Sequence, residues 1–134
     1  MMNTSHLVGE ITEMMTKRQG EMKVFGLNQY QELTERTDNK QDPVNMRLAN
    51  YALGLVSEGG ECGDIVKKHV FHGHELNKEE LLYELGDTFF YLARIAAIAG
   101  FTLEEVATAN ISKLSKRYKN GFSKEASIKR VDTK

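Results

Sequence analysis

A single cysteine, a single proline and the want of any long apolar run are the first things to read in this 134-residue chain. Cys62 alone excludes an intramolecular disulfide and a cysteine-built zinc site, and it fits a reducing compartment, so a cytoplasmic protein is expected. No stretch approaches the roughly 18 consecutive apolar residues that span a bilayer, and residues 1–6 lack the charged segment and apolar run of a signal peptide. No membrane partner is expected. The formal net charge is only -1 although 28% of the residues are charged, so the chain has no basic field of the kind that drives binding to duplex nucleic acid. Strand-like alternation is missing too, as is a glycine-rich phosphate loop between a strand and a helix. These absences leave an all-α fold.

What is present is helical periodicity. With 40% hydrophobic residues, the length suits one compact domain and not two. Leu7, Ile11, Met14 and Met15 are spaced for an accessory N-terminal helix within residues 1–25. The main helical domain is expected over residues 26–122. It opens with a helix over 27–37 that presents Leu27, Tyr30 and Leu33 on one side, followed by a polar loop to Pro43. A long helix from Asn45 to about Val70 carries Leu48, Tyr51, Ala52, Leu55, Val56, Ile65 and Val66 as its core stripe. Asn77 with Glu80 opens the next helix, which Gly100 stops, and Thr102 with Glu105 is a capping box opening a helix that ends near Gly121. Residues 123–134 are polar, basic and aperiodic, and read as a mobile tail.

Within the two central helices lie two carboxylate pairs, Glu58 with Glu61 and Glu84 with Asp87. Residues three apart share a helix face, so each pair aims two carboxylates one way, and the short link between the helices lets the faces meet. The spacing alone proves little: Glu10 with Glu13, Glu32 with Glu35, Glu35 with Asp38, and Glu61 with Asp64 repeat it, several in polar stretches where a solvated face explains them. The two central pairs differ in company. Leu55, Val56, Cys62 and Ile65 surround the first, and Leu81, Leu82, Leu85, Phe89 and Phe90 the second. Carboxylates among apolar residues require a positive partner or become protonated. Four convergent carboxylates suit a hard divalent cation such as Mg2+.

Other features admit two readings. Gly59 and Gly60 weaken the long helix by about 1 kcal/mol each relative to alanine; either a ligand or helix approaches there closely, or the helix kinks or packs tightly. His69, His72 and His74 invite a zinc reading, but without a fourth ligand at recognisable spacing an exposed connecting loop is the better one. Asn110, Lys113 and Arg117 share a face, as a solvated stripe or as a phosphate-binding row. Asp64 is either an ordinary exposed acid or a further metal ligand. Cys62 reads as a small core residue, having no basic partner fixed beside it.

The string Leu55-Val-Ser-Glu-Gly-Gly-Glu-Cys-Gly-Asp-Ile-Val-Lys-Lys68, then Glu84-Leu-Gly-Asp87, then Asn110-Ile-Ser-Lys-Leu-Ser-Lys-Arg-Tyr118, resembles the MazG-like nucleoside triphosphate pyrophosphohydrolases over most of residues 30–122. Its signature, Glu-x-x-Glu, a spacer and Glu-x-x-Asp, is matched by Glu58, Glu61, Glu84 and Asp87. Some members carry an acidic residue where this chain has Ser57, which bears on the number of metal ions.

The resemblance implies an all-α fold, Mg2+ dependence with Mn2+ as a substitute, and cleavage of a nucleoside triphosphate to monophosphate and pyrophosphate. It also implies self-association to a dimer or tetramer. Glu58, Glu61, Glu84 and Asp87 would hold the metal, Glu61 would orient or deprotonate the attacking water, and Lys68, Asn110, Lys113 and Arg117 would bind phosphate. Phe25, Tyr30, Phe89 and Tyr91 are the candidates for base recognition.

Two alternatives are carried with it. A di-iron carboxylate bundle needs Glu-x-x-His pairs, and the sequence contains none. A noncatalytic helical interaction module would use the acidic cluster only for docking.

Overall fold

The computed structural model describes residue 24 and residues 26–133, and the expected accessory helix, apart from Val24, lies outside them. Among the described residues the chain forms helices α1 (Leu27–Thr34), α2 (Val44–His72), α3 (Lys78–Ile98), α4 (Leu103–Arg117) and α5 (Lys124–Lys129), with 3-10 turns at Glu35–Thr37 and Val131–Thr133 and no strand. None of these helices is long and apolar enough to cross a membrane.

Local chemistry sets most of the ends. Pro43, with φ -53°, precedes α2, where its missing N–H costs nothing. Gly73 closes α2 in the left-handed conformation at φ 75°, which a side chain would oppose. Asn77 caps α3 by accepting the Glu80 N–H, and the Thr102–Glu105 capping box opens α4 in full. α4 ends at Arg117, earlier than the periodicity suggested, because Tyr118 leaves the helical region at φ -120°, ψ 61°. Gly59 and Gly60 do not interrupt α2. A Cβ on either would meet nothing within 4 Å, so within this chain they mark neither a break nor a close approach.

Where an aperiodic tail was expected, the chain forms α5 and a 3-10 turn. Ser123 supplies the cap, its hydroxyl accepting the Ala126 N–H at 3.0 Å. An ion pair from Arg117 to Asp132 fastens the turn to the end of α4.

α2 and α3, joined by the short link 73–77, lie side by side as an antiparallel hairpin that dominates the tertiary contacts, with α1 against α3 and α4. The buried apolar core is small: Ala93, Ala96 and Leu103, with Tyr30, Phe89 and Leu92 packed against it, and Tyr51 buried on α2. Polar contacts supplement it. The buried Gln31 amide donates to the Phe101 carbonyl at 2.9 Å and accepts the Leu103 N–H at 3.0 Å, tying α1 to the start of α4.

Asp38 overturns its placement in a solvated acidic pair with Glu35. Its side chain is wholly buried, bonded by Arg94 at 2.8 Å and by Arg47 and Tyr51. Arg94 also donates to Thr34 at 3.1 Å. Burial pushes the Asp38 carboxyl up, but the hydrogen bonds from Arg47, Tyr51 and Arg94 outweigh it and hold it at about 2.

Candidate metal centre

The α2–α3 hairpin brings Glu58 of α2 together with Glu84 and Asp87 of α3, each offering an oxygen within 4.8 Å of the others. Nearby contacts fix the register. The Thr88 hydroxyl donates to the Glu84 carbonyl at 2.8 Å and lies 3.7 Å from the Cys62 thiol across the helix interface. One turn away, Gly54 leaves room for the Tyr91 ring to lie directly on the backbone of α2. Cys62 is thus half-buried in packing, as its surroundings in sequence indicated.

Three like charges this close are self-repelling. Glu84 shows it: its carboxyl is raised above the ordinary value by desolvation, then by its contact with Glu58, and by the charges of Asp87 and Glu61. The donor set is all carboxylate oxygen, the chemistry of a hard divalent cation. Oxygens around a Mg2+ ion stand roughly 3 Å apart when adjacent and roughly 4 Å apart when opposite, as metal–oxygen distances of about 2 Å dictate. Oxygens already within 4.8 Å need only small side-chain rotations to share one cation, so the residues present fit it.

Glu61 stands outside the converging group, exposed on α2, though its charge still reaches Glu84. Asp64 is also outside it and is engaged otherwise. It pairs with Lys67 and, at 2.6 Å, with Lys68, whose hydrogen bonds hold its carboxyl down at about 2. That favours the ordinary surface acid over the further ligand. Lys68 is half-exposed within this pair.

His69, His72 and His74 sit on the exposed end of the hairpin, and His69 Nδ1 lies 2.8 Å from the His74 carbonyl. They do not converge as ligands among the described residues.

On α4, Asn110 and Lys113 are exposed. Arg117 is not: its Nε and Nη2 donate to the two oxygens of Asp132 at 2.5 and 2.6 Å, and it is only 14% exposed. Asp132 escaped the sequence reading because nothing local announces a partner 15 residues away.

Of the aromatic candidates, Phe25 lies outside the described residues. Tyr30 and Phe89 stack on each other with centroids 4.5 Å apart and planes 9° apart. Burial and then the charge of Asp87 raise the Tyr30 hydroxyl above its ordinary value. Tyr91 is committed to Gly54 and to a T-shaped contact with Phe90. A separate cavity of about 350 Å³ is lined by Glu35, Asp38, Lys40, Arg47 and Arg94 with Val44, Ala97 and Ile98, and no carboxylate of the metal cluster borders it.

An all-α chain whose central helix hairpin holds an oxygen-only cluster defines a helical protein with a candidate divalent-cation centre. The chain belongs to the MazG nucleotide pyrophosphohydrolase domain family, which matches residues 47–122. That match takes in α2 from Arg47 onward, α3 and α4, and hence all three converging carboxylates. The chain is also similar to the Gene 37 protein of Mycobacterium phage L5, at 33% identity over 78 residues that cover 55% of this chain and 68% of that protein. No solved structure matches.

Proposed function

We propose that this chain is a Mg2+-dependent nucleoside triphosphate pyrophosphohydrolase, converting a ribo- or deoxyribonucleoside triphosphate to the monophosphate and pyrophosphate. The observation that carries the reading is the convergence of Glu58, Glu84 and Asp87 inside the residues the family matches.

A triphosphate is densely anionic, and bare carboxylates repel it. Glu58, Glu84 and Asp87 would hold Mg2+, with Mn2+ as a substitute, and Glu61 would join them by a side-chain movement. When bound, the ion supplies Lewis acidity and a template for phosphate oxygens. Glu61, exposed on α2 beside the three-oxygen group, would orient a water for in-line attack at the α-phosphorus and accept its proton. Lys68, Asn110 and Lys113, all exposed, would bind phosphate oxygens and stabilise charge gathering on the pyrophosphate leaving group. Arg117 belongs to the same row once Asp132 is displaced from it.

Self-association is part of the proposal. Leu53 and Val56 on α2 are 72% and 74% exposed, and Leu82 and Leu85 on α3 are also open. A second copy covering them, in a dimer or a dimer of dimers, would bury what a lone chain leaves in water. Cytoplasmic action on a free nucleotide completes the reading.

The test is pyrophosphate release from a panel of common and modified nucleoside triphosphates with Mg2+, and with EDTA as control. Cation-dependent release from at least one nucleotide supports the enzyme; none across the panel leaves a noncatalytic helical binding module.

A further inference from the structure

The ion pair between Arg117 and Asp132 is two-pronged, with Nε and Nη2 each donating to a separate carboxylate oxygen. Asp132 is completely covered and Arg117 nearly so. This is the arrangement by which a guanidinium also grips a phosphate, because both anions present two oxygens to the planar fork. The edge of Arg117 that would take a phosphate is therefore filled by the protein's own C-terminal turn.

That turn is lightly held. α5 buries none of its residues, and Ile128 and Val131 remain 82% and 51% exposed. Arg130 adopts φ 46°, a left-handed conformation unusual for a side chain, to bring Asp132 back over α4. The Arg117 guanidinium also lies over the ring of its neighbour Tyr118, 5.8 Å from the centroid. Polar ties anchored on the end of α4 therefore do most of the holding. A segment with few apolar contacts opens at low cost.

We propose that residues 124–133 form an autoinhibitory latch, in which the Asp132 carboxylate occupies a phosphate-binding guanidinium and a linear polyphosphate must displace it. The inference rests on the reading of Arg117 as a phosphate-binding residue. One charge-assisted bidentate contact is exchanged for another, so release of the turn and binding of the polyphosphate are coupled equilibria. Lys113, one turn back on the same helix face, favours the incoming phosphate and has no part in holding Asp132.

The experiment uses the full chain and inorganic tripolyphosphate with Mg2+. By titration calorimetry, Asp132→Asn should bind tripolyphosphate about fivefold or more tightly than the wild type. In the wild type, tripolyphosphate should speed amide hydrogen exchange in residues 124–133 while leaving α3 unchanged or slower. Equal or weaker binding by a folded Asp132→Asn, or unchanged or slower exchange in that segment of saturated wild type, overturns the latch. The exchange measurement needs no variant, so it decides the matter even where Asp132→Asn fails to fold. If tripolyphosphate opens the segment but no nucleotide is hydrolysed, the enzyme reading alone has failed; if nucleotides are hydrolysed and saturation leaves the segment closed, the latch alone has failed.

Discussion

Asp38 and Arg94, 56 residues apart in sequence, meet through a 2.8 Å hydrogen bond with both side chains all but sealed from solvent. Arg47, Tyr51 and Thr34 complete the cluster, which joins the α1 end, α2 and α3 around charge where a larger domain would place apolar side chains. Removing one partner strands the other, and breaking a buried pair in this way costs about 3–5 kcal/mol. Asp38→Asn should lose stability on that scale in urea unfolding at neutral pH. A loss under about 1 kcal/mol would show that the guanidinium groups are satisfied without it.

The same group sets an acid limit. Folding lowers the Asp38 carboxyl from an ordinary 3.8 to about 2, so the unfolded chain binds its proton first as pH falls. Its contribution is complete above about pH 4 and disappears as pH drops through about 2. The stability gap between wild type and Asp38→Asn should therefore shrink over that window. A gap constant from pH 7 to pH 2 would contradict the assignment.

Gly54 and the Gly59–Gly60 pair should respond in opposite directions to alanine. A Cβ at Gly54 would clash with the edge of the Tyr91 ring, so Gly54→Ala should destabilise by about 1–3 kcal/mol, less so in a Tyr91→Ala background. Gly59→Ala and Gly60→Ala meet open space in the interior of a helix and should gain up to about 1 kcal/mol each. If either gains stability yet loses activity or self-association, a nucleotide or a second copy approaches the backbone there.

Asp87→Asn separates a cation centre from a structural acid cluster. It keeps the shape, removes one of three mutually repelling charges and weakens the oxygen shell. In EDTA the variant should melt no lower than wild type, gain less from added Mg2+, and hydrolyse nucleotides slower by a factor on the order of a hundred. A large loss of stability in EDTA with activity intact would make the cluster structural.

Lys113→Ala removes an exposed positive charge from α4 and should lower kcat/KM by about tenfold, or about 1.4 kcal/mol. Unchanged kinetics would return Lys113 to a solvated stripe. Light scattering of the wild type at micromolar concentration should meanwhile give a dimer or tetramer, and a monomer would remove the second copy from the proposal.

The sequence announced what depends on neighbours a few residues apart. Thr102 with Glu105, Asn77, and the glycines at 73 and 100 mark helix ends because capping and left-handed backbone are local chemistry. Glu58, Glu84 and Asp87 were legible because a short link turns two helical periodicities toward each other. Glu61 did not join them, although Asp87 at the same three-residue spacing from Glu84 does, so spacing puts a carboxylate on the right face without fixing which side chain converges. Asp38 and Asp132 were illegible, since their partners lie far along the chain and a polar stretch looks the same whether its acid is buried or bathed in water. One clue was present: Arg94, amid Leu92, Ala93, Ile95 and Ala96, required a buried anion.

The hairpin of α2 and α3 also sets an order of events during folding. Its two arms are joined by the short link 73–77, so their pairing closes a small loop and rests on contacts near in sequence, whereas the bond from Asp38 to Arg94 must close a loop of 56 residues. The hairpin is therefore the natural early element, and it gathers Glu58, Glu84 and Asp87 before the buried charge cluster has formed to hold the domain together. The step at which these carboxylates first meet is a folding step, so their mutual repulsion bears on how fast the hairpin closes as well as on the finished protein.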